Sequence, residues 1–363
     1  MLLVVVAWLA DARRGAAFAP PQGVVRAPSS RQPTGLLGAV VGEELEERRK
    51  QNIARLTWRF SRPHTLIGSI VAVPALHALA APNAAAMCTP QFATSIFWSL
   101  VPAVLVNVFI TGLNQLCDVE IDRINKPHLP VAAGDLSPAR GAFICGACLV
   151  AAAATTAASP VFTPALAAVV GGSALVGAAY SAPPLRLKRW PLLAALSIVV
   201  IRGAMINACF FQHAAATAFD GTTFAPRSPR DAHLGLVVGF FGIFGVAIAL
   251  MKDVPDTAGD ARFKITTLST RVGRPAVFKF AANLVVGLLA AASVAFGTAA
   301  IRAQTSPLAT SRLVAALALA VLAKQAAVGA ATVDAEAKAP VAAFYMDIWR
   351  MFYIAYCLLP FVR

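Results

Sequence analysis

The chain is 363 residues long, 58% hydrophobic and only 13% charged, with a mean hydropathy of +0.70. Soluble domains are about 45–50% apolar and about 25% charged, so this composition excludes a water-soluble globular protein and leaves an integral membrane protein. The net charge of +14 fits basic loops facing anionic headgroups rather than nucleic-acid binding.

The first 42 residues are predicted to be an address rather than part of the fold. Met1–Ala10 is apolar but shorter than the roughly 20 residues a span needs. The stretch up to Val41 carries Arg26, Arg31, Ser, Pro and Gly and no acid after Asp11. A signal peptide followed by Ala17-Phe-Ala-Pro20 resembles the two-part targeting sequence of complex, secondary plastids. Residues 43–62 follow, with Glu43–Phe60 alternating charges at helical spacing, which predicts an amphipathic helix lying on the membrane surface.

Residues 63–363 read as one all-α polytopic membrane domain, because their apolar runs are continuous rather than alternating. Nine spans are predicted, at about 65–81, 92–113, 139–158, 160–180, 190–212, 233–251, 276–300, 311–333 and 341–361. Small residues dominate several of them, which permits close helix packing. With nine spans, most Lys and Arg fall in the N-terminal segment and the loops after the second, fourth, sixth and eighth. The opposite face holds Arg227, Arg230, Arg302, Arg312 and Arg363. That asymmetry supports the count and assigns the charged loops to the stromal side. The six cysteines lie within or beside apolar runs and predict no disulfide framework.

Acidic residues gather at two helix ends. Asn114, Asp118 and Asp122 recur every four residues, which on a continuous helix puts them on one face. Asp256 and Asp260 repeat the interval, with Asp253 three residues earlier. The clusters end the second and sixth spans, so they emerge on the same side of the membrane. Converging carboxylates repel one another and shift toward protonation, and a divalent cation relieves both effects. Oxygen ligands without thiolate or imidazole suit Mg2+, which bridges to phosphates. Arg123 and Lys126 beside the first cluster, with Lys252 and Arg262 beside the second, suit a diphosphate. Tyr180-Ser-Ala-Pro-Pro-Leu-Arg186-Leu-Lys188 closes the fourth span on the same side, and its bases can reach phosphate oxygens.

Together these elements resemble the UbiA superfamily of membrane prenyltransferases. Asn114-Gln-Leu, Asp122-Arg-Ile-Asn-Lys-Pro, Leu129-Pro-Val-Ala-Ala-Gly-Asp-Leu-Ser137 and Lys252-Asp-Val-Pro-Asp256 narrow the likeness to the plastid homogentisate prenyltransferases. The Tyr180–Arg186 loop and Ile201-Arg202-Gly203 are closer to the solanesyl type than to the phytyl type, and the solanesyl reading is favoured. The resemblance implies that Asn114, Asp118, Asp122, Asp256 and Asp260 hold Mg2+ and diphosphate, with Asp253 in a lesser role and Tyr180 and Lys188 matching the family loop. It implies transfer of a prenyl group from solanesyl, phytyl or geranylgeranyl diphosphate to homogentisate with loss of CO2, as in plastoquinone or tocopherol synthesis, in a plastid membrane. Ala261 departs from the basic residue usual after the last aspartate, with Arg262 as its expected substitute.

Chlorophyll synthase is a rival within the superfamily, but its first motif usually has Asp where Gln115 stands here. A transporter or channel, from another class, predicts acids in mid-span rather than at helix ends. Arg202 lies inside the fifth span, where a charge is costly, and is expected to pair with a carboxylate or with a substrate acid. Arg62 and His64 either approach the aromatic acid or anchor a helix end, the second being favoured, and His77, His128, His213 and His233 are expected to be structural.

Overall fold

The structure is a computed structural model that describes residues 55–219, 229–303 and 307–361. The chain divides at Phe60 into two units. The targeting reading of 1–42, and the surface-helix reading of 43–62 up to residue 54, fall outside the described residues; residues 55–60 are helical.

Among the described residues from Phe60 on, nine long helices follow in order: α1 (Pro63–Ala80), α2 (Pro90–Cys117), α3 (Pro138–Ala157), α4 (Pro164–Ser181), α5 (Pro191–Ala218), α6 (Pro229–Asp253), α7 (Arg274–Arg302), α8 (Pro307–Thr332) and α9 (Lys338–Leu358). No strand occurs among the described residues. Proline at the first turn, where its missing N–H costs nothing, opens α1 to α5, and Pro275 does so for α7. Thr89, Ser137 and Thr163 cap α2, α3 and α4 by accepting from Phe92 N, Arg140 N and Leu166 N. Ser159-Pro160 lies in a loop, so the third and fourth expected spans are separate helices.

Eight of these helices, α1 to α8, are long and apolar enough to cross a bilayer. The ninth expected span forms α9, but Asp347, Arg350, Tyr345, Tyr353 and Tyr356 make it more polar than the rest. Burial explains how it is accommodated: Trp349, Phe352, Tyr353 and Tyr356 are almost wholly enclosed. Tyr356 stacks on Phe241 of α6 with ring centroids 3.8 Å apart.

Consecutive helices pack against one another, and α9 returns to α1 and α6, which closes the ring. Small residues set the tightest approach: a Cβ on Gly203 of α5 would stand 2.6 Å from Gly242 Cα of α6. Large apolar side chains such as Phe143, Leu175, Leu236, Phe280 and Leu317 remain exposed on the outside, as lipid requires. Far from the acids, His77 of α1 bonds Ser95 Oγ of α2 at 3.0 Å, and Ser95 Oγ lies 2.7 Å from Thr217 Oγ1 of α5.

Candidate active site

The first acidic motif does not continue one helix, as its spacing suggests. It straddles a break. α2 ends at Cys117, and Asp118 (φ −117°, ψ 19°) starts the short helix Val119–Asn125. The interval of four nevertheless survives, because Asp122 N donates to Asp118 O at 2.7 Å. Asn114 Nδ2 donates to Asp118 Oδ2 at 3.0 Å and to Ser181 Oγ at 3.3 Å. The second motif breaks in the same way. α6 stops at Asp253, Pro255 interrupts the backbone, and Asp256 leads into Thr257–Arg262. Asp260 N then donates to Asp256 O at 3.1 Å.

The two breaks meet at one mouth of the bundle. Lys126, just past the first short helix, forms an ion pair with Asp256. Asn125 Nδ2 donates to Asp260 Oδ1 at 3.4 Å, and Asn125 Oδ1 accepts from Gly259 N at 2.9 Å. Only glycine fits there, since a Cβ on residue 259 would stand 2.5 Å from Asn125 Oδ1. The loop after α4 supplies Arg186, whose Nη2 donates to Asp118 Oδ1 at 2.9 Å, and Lys188, which pairs with the other oxygen of Asp118. Arg62 Nη2 lies 3.6 Å from Asp122 Oδ2. Lys252 Nζ lies 3.1 Å from Asp253 Oδ1 and donates to the Tyr180 hydroxyl at 3.0 Å. Arg62 and Arg186 have positive φ, 48° and 39°, a strained backbone that concentrates at functional sites.

Asp118, Asp122, Asp256 and Asp260 are all buried. Burial, with Asp256 and Asp253 adding like charge, pushes the Asp260 carboxyl up to about 7. Burial also raises Asp122, against the pull of Arg62 and Lys126. It lowers Lys188, against the attraction of Asp118.

These residues fit a divalent cation in chemistry. The donors are hard oxygens without thiolate or imidazole; among the described residues Asp122 Oδ2 is buried without a hydrogen bond, and Asn125 is the one side chain bonded to Asp260. Among the described residues no three acids, histidines or cysteines already converge as a metal cage. The reason is visible: Arg62, Lys126, Arg186, Lys188 and Lys252 hold carboxylates in ion pairs. Mg2+ does not require such a cage, because it takes one or two carboxylates together with waters and substrate phosphates.

Residues 63–354 match the model of the UbiA prenyltransferase family. The chain belongs to that family. A homogentisate phytyltransferase of Synechocystis sp. is 39% identical to it over 305 residues, covering 84% of this chain and 94% of that one. The chloroplastic homogentisate solanesyltransferase of Arabidopsis thaliana is 31% identical over 306 residues, covering 84% and 76%. A structure of a UbiA homolog from Archaeoglobus fulgidus bound to GPP and Mg2+ matches with a TM-score of 0.54 at 15% identity, covering 84% of this chain and 99% of that one. At that identity the likeness speaks for the fold.

In this UbiA prenyltransferase, Asn114, Asp118, Asp122, Lys126, Tyr180, Lys188, Lys252, Asp253, Asp256 and Asp260 lie together at the mouth. Three expected residues stand apart. Arg123 pairs with Glu120, both exposed, and Arg262 is exposed with no ion pair among the described residues. Arg262 therefore does not replace the missing base at Ala261. Arg202 lies deeper, over the Trp349 ring. Sequence reasoning favoured a helix anchor for Arg62 and assigned no site role to Asn125 or Ser181. That arginine belongs to a visible Arg62-Pro-His tetrapeptide, but its reach to Asp122 depends on a left-handed backbone that no local pattern announces.

Proposed function

We propose that this protein transfers a prenyl group from a prenyl diphosphate to homogentisate in a plastid membrane, with Mg2+ as cofactor. Asp118, Asp122, Asp256 and Asp260, with Asn114, would hold the metal. When bound, Mg2+ neutralises the diphosphate and stabilises it as a leaving group. The observation that carries this reading is the pairing of each acidic break with bases from separate loops, summed up by Lys126 on Asp256 and Lys188 on Asp118.

The basic side chains pair with the carboxylates. On substrate binding they turn from carboxylate to phosphate: Lys126, Arg186, Lys188 and Lys252 are the four placed to donate to diphosphate oxygens. Their positive charge lies where negative charge develops as the allylic C–O bond breaks. The enclosed mouth withholds water from the resulting carbocation. The electron-rich ring of homogentisate then attacks, forming a C–C bond. The ring carbon loses its proton, the acetate group loses CO2, and its methylene takes up a proton to become methyl.

For the donor, higher identity to a phytyltransferase than to a solanesyltransferase supports the phytyl or geranylgeranyl chain. The Tyr180–Arg186 loop and Ile201-Arg202-Gly203 support the solanesyl chain. The protein, purified in nanodiscs with Mg2+ and homogentisate, should be supplied with each diphosphate in turn. Formation of prenylated methylquinol and pyrophosphate is expected, and the donor with the highest kcat/KM identifies the chain. No product from any donor, with turnover of a chlorophyllide instead, would overturn the proposal.

A further inference from the structure

Arg202 is a cation inside a membrane helix that forms no ion pair among the described residues. It stands eleven residues beyond Pro191, roughly 16 Å along α5 at 1.5 Å per residue. Its nearest described partner is a ring: the guanidinium carbon lies 4.7 Å from the centroid of Trp349. A cation–π contact alone offsets only part of the cost of a charge at that depth, and intramembrane ionisable groups mark substrate paths.

The helix is shaped to present this side chain. Residues Val199–Met205 are wound as a π-helix, an irregularity that recurs at functional sites. Asn207 Nδ2 satisfies the loosened turn by donating to Arg202 O and Gly203 O, each at 2.8 Å. Tyr356 of α9 fixes Asn207 by donating to its Oδ1 at 3.0 Å. Across the space, Gly68 of α1 leaves room: a Cβ there would stand 3.5 Å from Arg202 Nη1 and 3.3 Å from the Trp349 ring.

Aromatic groups form the walls. His64 lies edge-on to Trp349 at 5.3 Å, with Tyr345 and Tyr353 at 6.3 and 5.9 Å from the same ring. The box adjoins the acidic mouth, since His64 stands two residues beyond Arg62, whose Nη2 lies 3.6 Å from Asp122 Oδ2. Arg202 as a whole is half-buried. The aspartates needed to accompany a metal-bound diphosphate lie at the mouth with the other bases.

We infer that Arg202 binds the carboxylate of the aromatic acceptor and, with Trp349, His64 and Tyr345 as walls, orients its ring toward the donor. This rests on the acceptor being an aromatic acid, as proposed above. Arg202 thus reads the acid group of the substrate, separately from the bases that read the diphosphate.

The test compares the KM of homogentisate with the inhibition constant of its neutral amide, which has no carboxylate to lose and serves as a competing ligand, in wild type, Arg202→Met, Arg202→Lys and Gly68→Ala, all reconstituted with Mg2+ and donor. Wild type should prefer the acid by about 10–100-fold, the range expected for a charge-assisted hydrogen-bonded pair. Arg202→Met should raise KM for homogentisate by that factor, leave KM for the donor within about twofold, and bring the acid-to-amide ratio close to one. Arg202→Lys should restore part of the ratio, and Gly68→Ala, whose Cβ would stand 3.3 Å from the Trp349 ring, should disturb that wall and weaken acceptor binding while leaving the donor KM unchanged. A ratio unchanged in Arg202→Met, or a loss confined to the donor KM, overturns the inference. If wild type turns over no homogentisate, the function proposed above fails instead. Thermal protection by homogentisate against its amide, without donor, then still reads the acid preference, and protection equal in wild type and Arg202→Met counts against Arg202.

Discussion

Lys126 and Asp256 form an ion pair between residues 130 positions apart in sequence. The contact ties the break after α2 to the break after α6. Because both partners stand at the same mouth, one diphosphate can reach bases from either side, and Lys126 serves as the link.

Replacing Lys126 by Met should therefore lower kcat/KM for the prenyl diphosphate by about 100-fold, the scale for loss of one donor aimed at developing charge. Lys126→Arg should retain more activity, since it keeps the charge. Initial rates over a range of donor concentrations decide this, and near-wild-type kinetics in Lys126→Met would refute the phosphate role.

Asp118→Asn and Asp256→Asn should each reduce turnover by at least about 100-fold, while the proteins still insert and elute as monodisperse species. Chelating the metal with EDTA should abolish wild-type activity, and added Mg2+ should restore it. Product formation by chromatography is the measurement. Full activity in either variant excludes the metal assignment.

The pH dependence follows from Asp260, pushed up to about 7 by burial and by neighbouring acids. Below that value the carboxyl is protonated, and a metal must displace the proton to bind. Apparent Mg2+ affinity should thus fall as pH drops from about 8 to 6, by at most about tenfold per unit for one proton, and level off above 7. The sign for stability is opposite. With a raised pKa, ionising Asp260 destabilises the metal-free fold, so its unfolding temperature should be higher below pH 7. Mg2+ should stabilise the protein more above that point. Mg2+-dependent rates and thermal unfolding across this range check both statements.

Gly259→Val should disrupt the link between the two acidic segments, because even a Cβ would lie 2.5 Å from Asn125 Oδ1. Asn125 would have to give up its bonds to Gly259 N and Asp260, at a cost of about 1–3 kcal/mol. A lowered unfolding temperature together with weakened Mg2+ activation is expected; an effect on neither would show that the contact is dispensable.

His77→Leu probes the other end of the bundle. It removes the partner of Ser95 in a fully buried site, with an expected stability loss of about 1–3 kcal/mol. The KM values for Mg2+ and donor should stay unchanged, since the acids lie at the far end of α1 and α2. Thermal unfolding and kinetics measured together separate the two effects.

Much of the site was legible along the chain. The interval of four in Asn114-Asp118-Asp122 and in Asp256-Asp260 survives even though each motif breaks its helix, because a backbone bond spans the break in both. Helix ends were less legible: α2 runs to Cys117 although its apolar run stops at Leu113, since a helix can continue where hydropathy falls. Arg123 and Arg262 misled because their proximity in sequence to the acids says nothing of the direction their side chains take. Both point outward.

The sequence by itself determined a helical membrane protein with two acidic motifs at one face, because partition into lipid follows local composition and the parity of spans assigns the faces. Only the tertiary structure decided that Arg62 reaches Asp122, that Lys126 faces Asp256, and that Arg202 meets Trp349 rather than a carboxylate. Those pairings arise from the packing of helices distant in sequence, from positive φ at Arg62 and from a π-turn around Arg202. Each depends on the balance of contacts across the whole bundle, which no short stretch of chain contains.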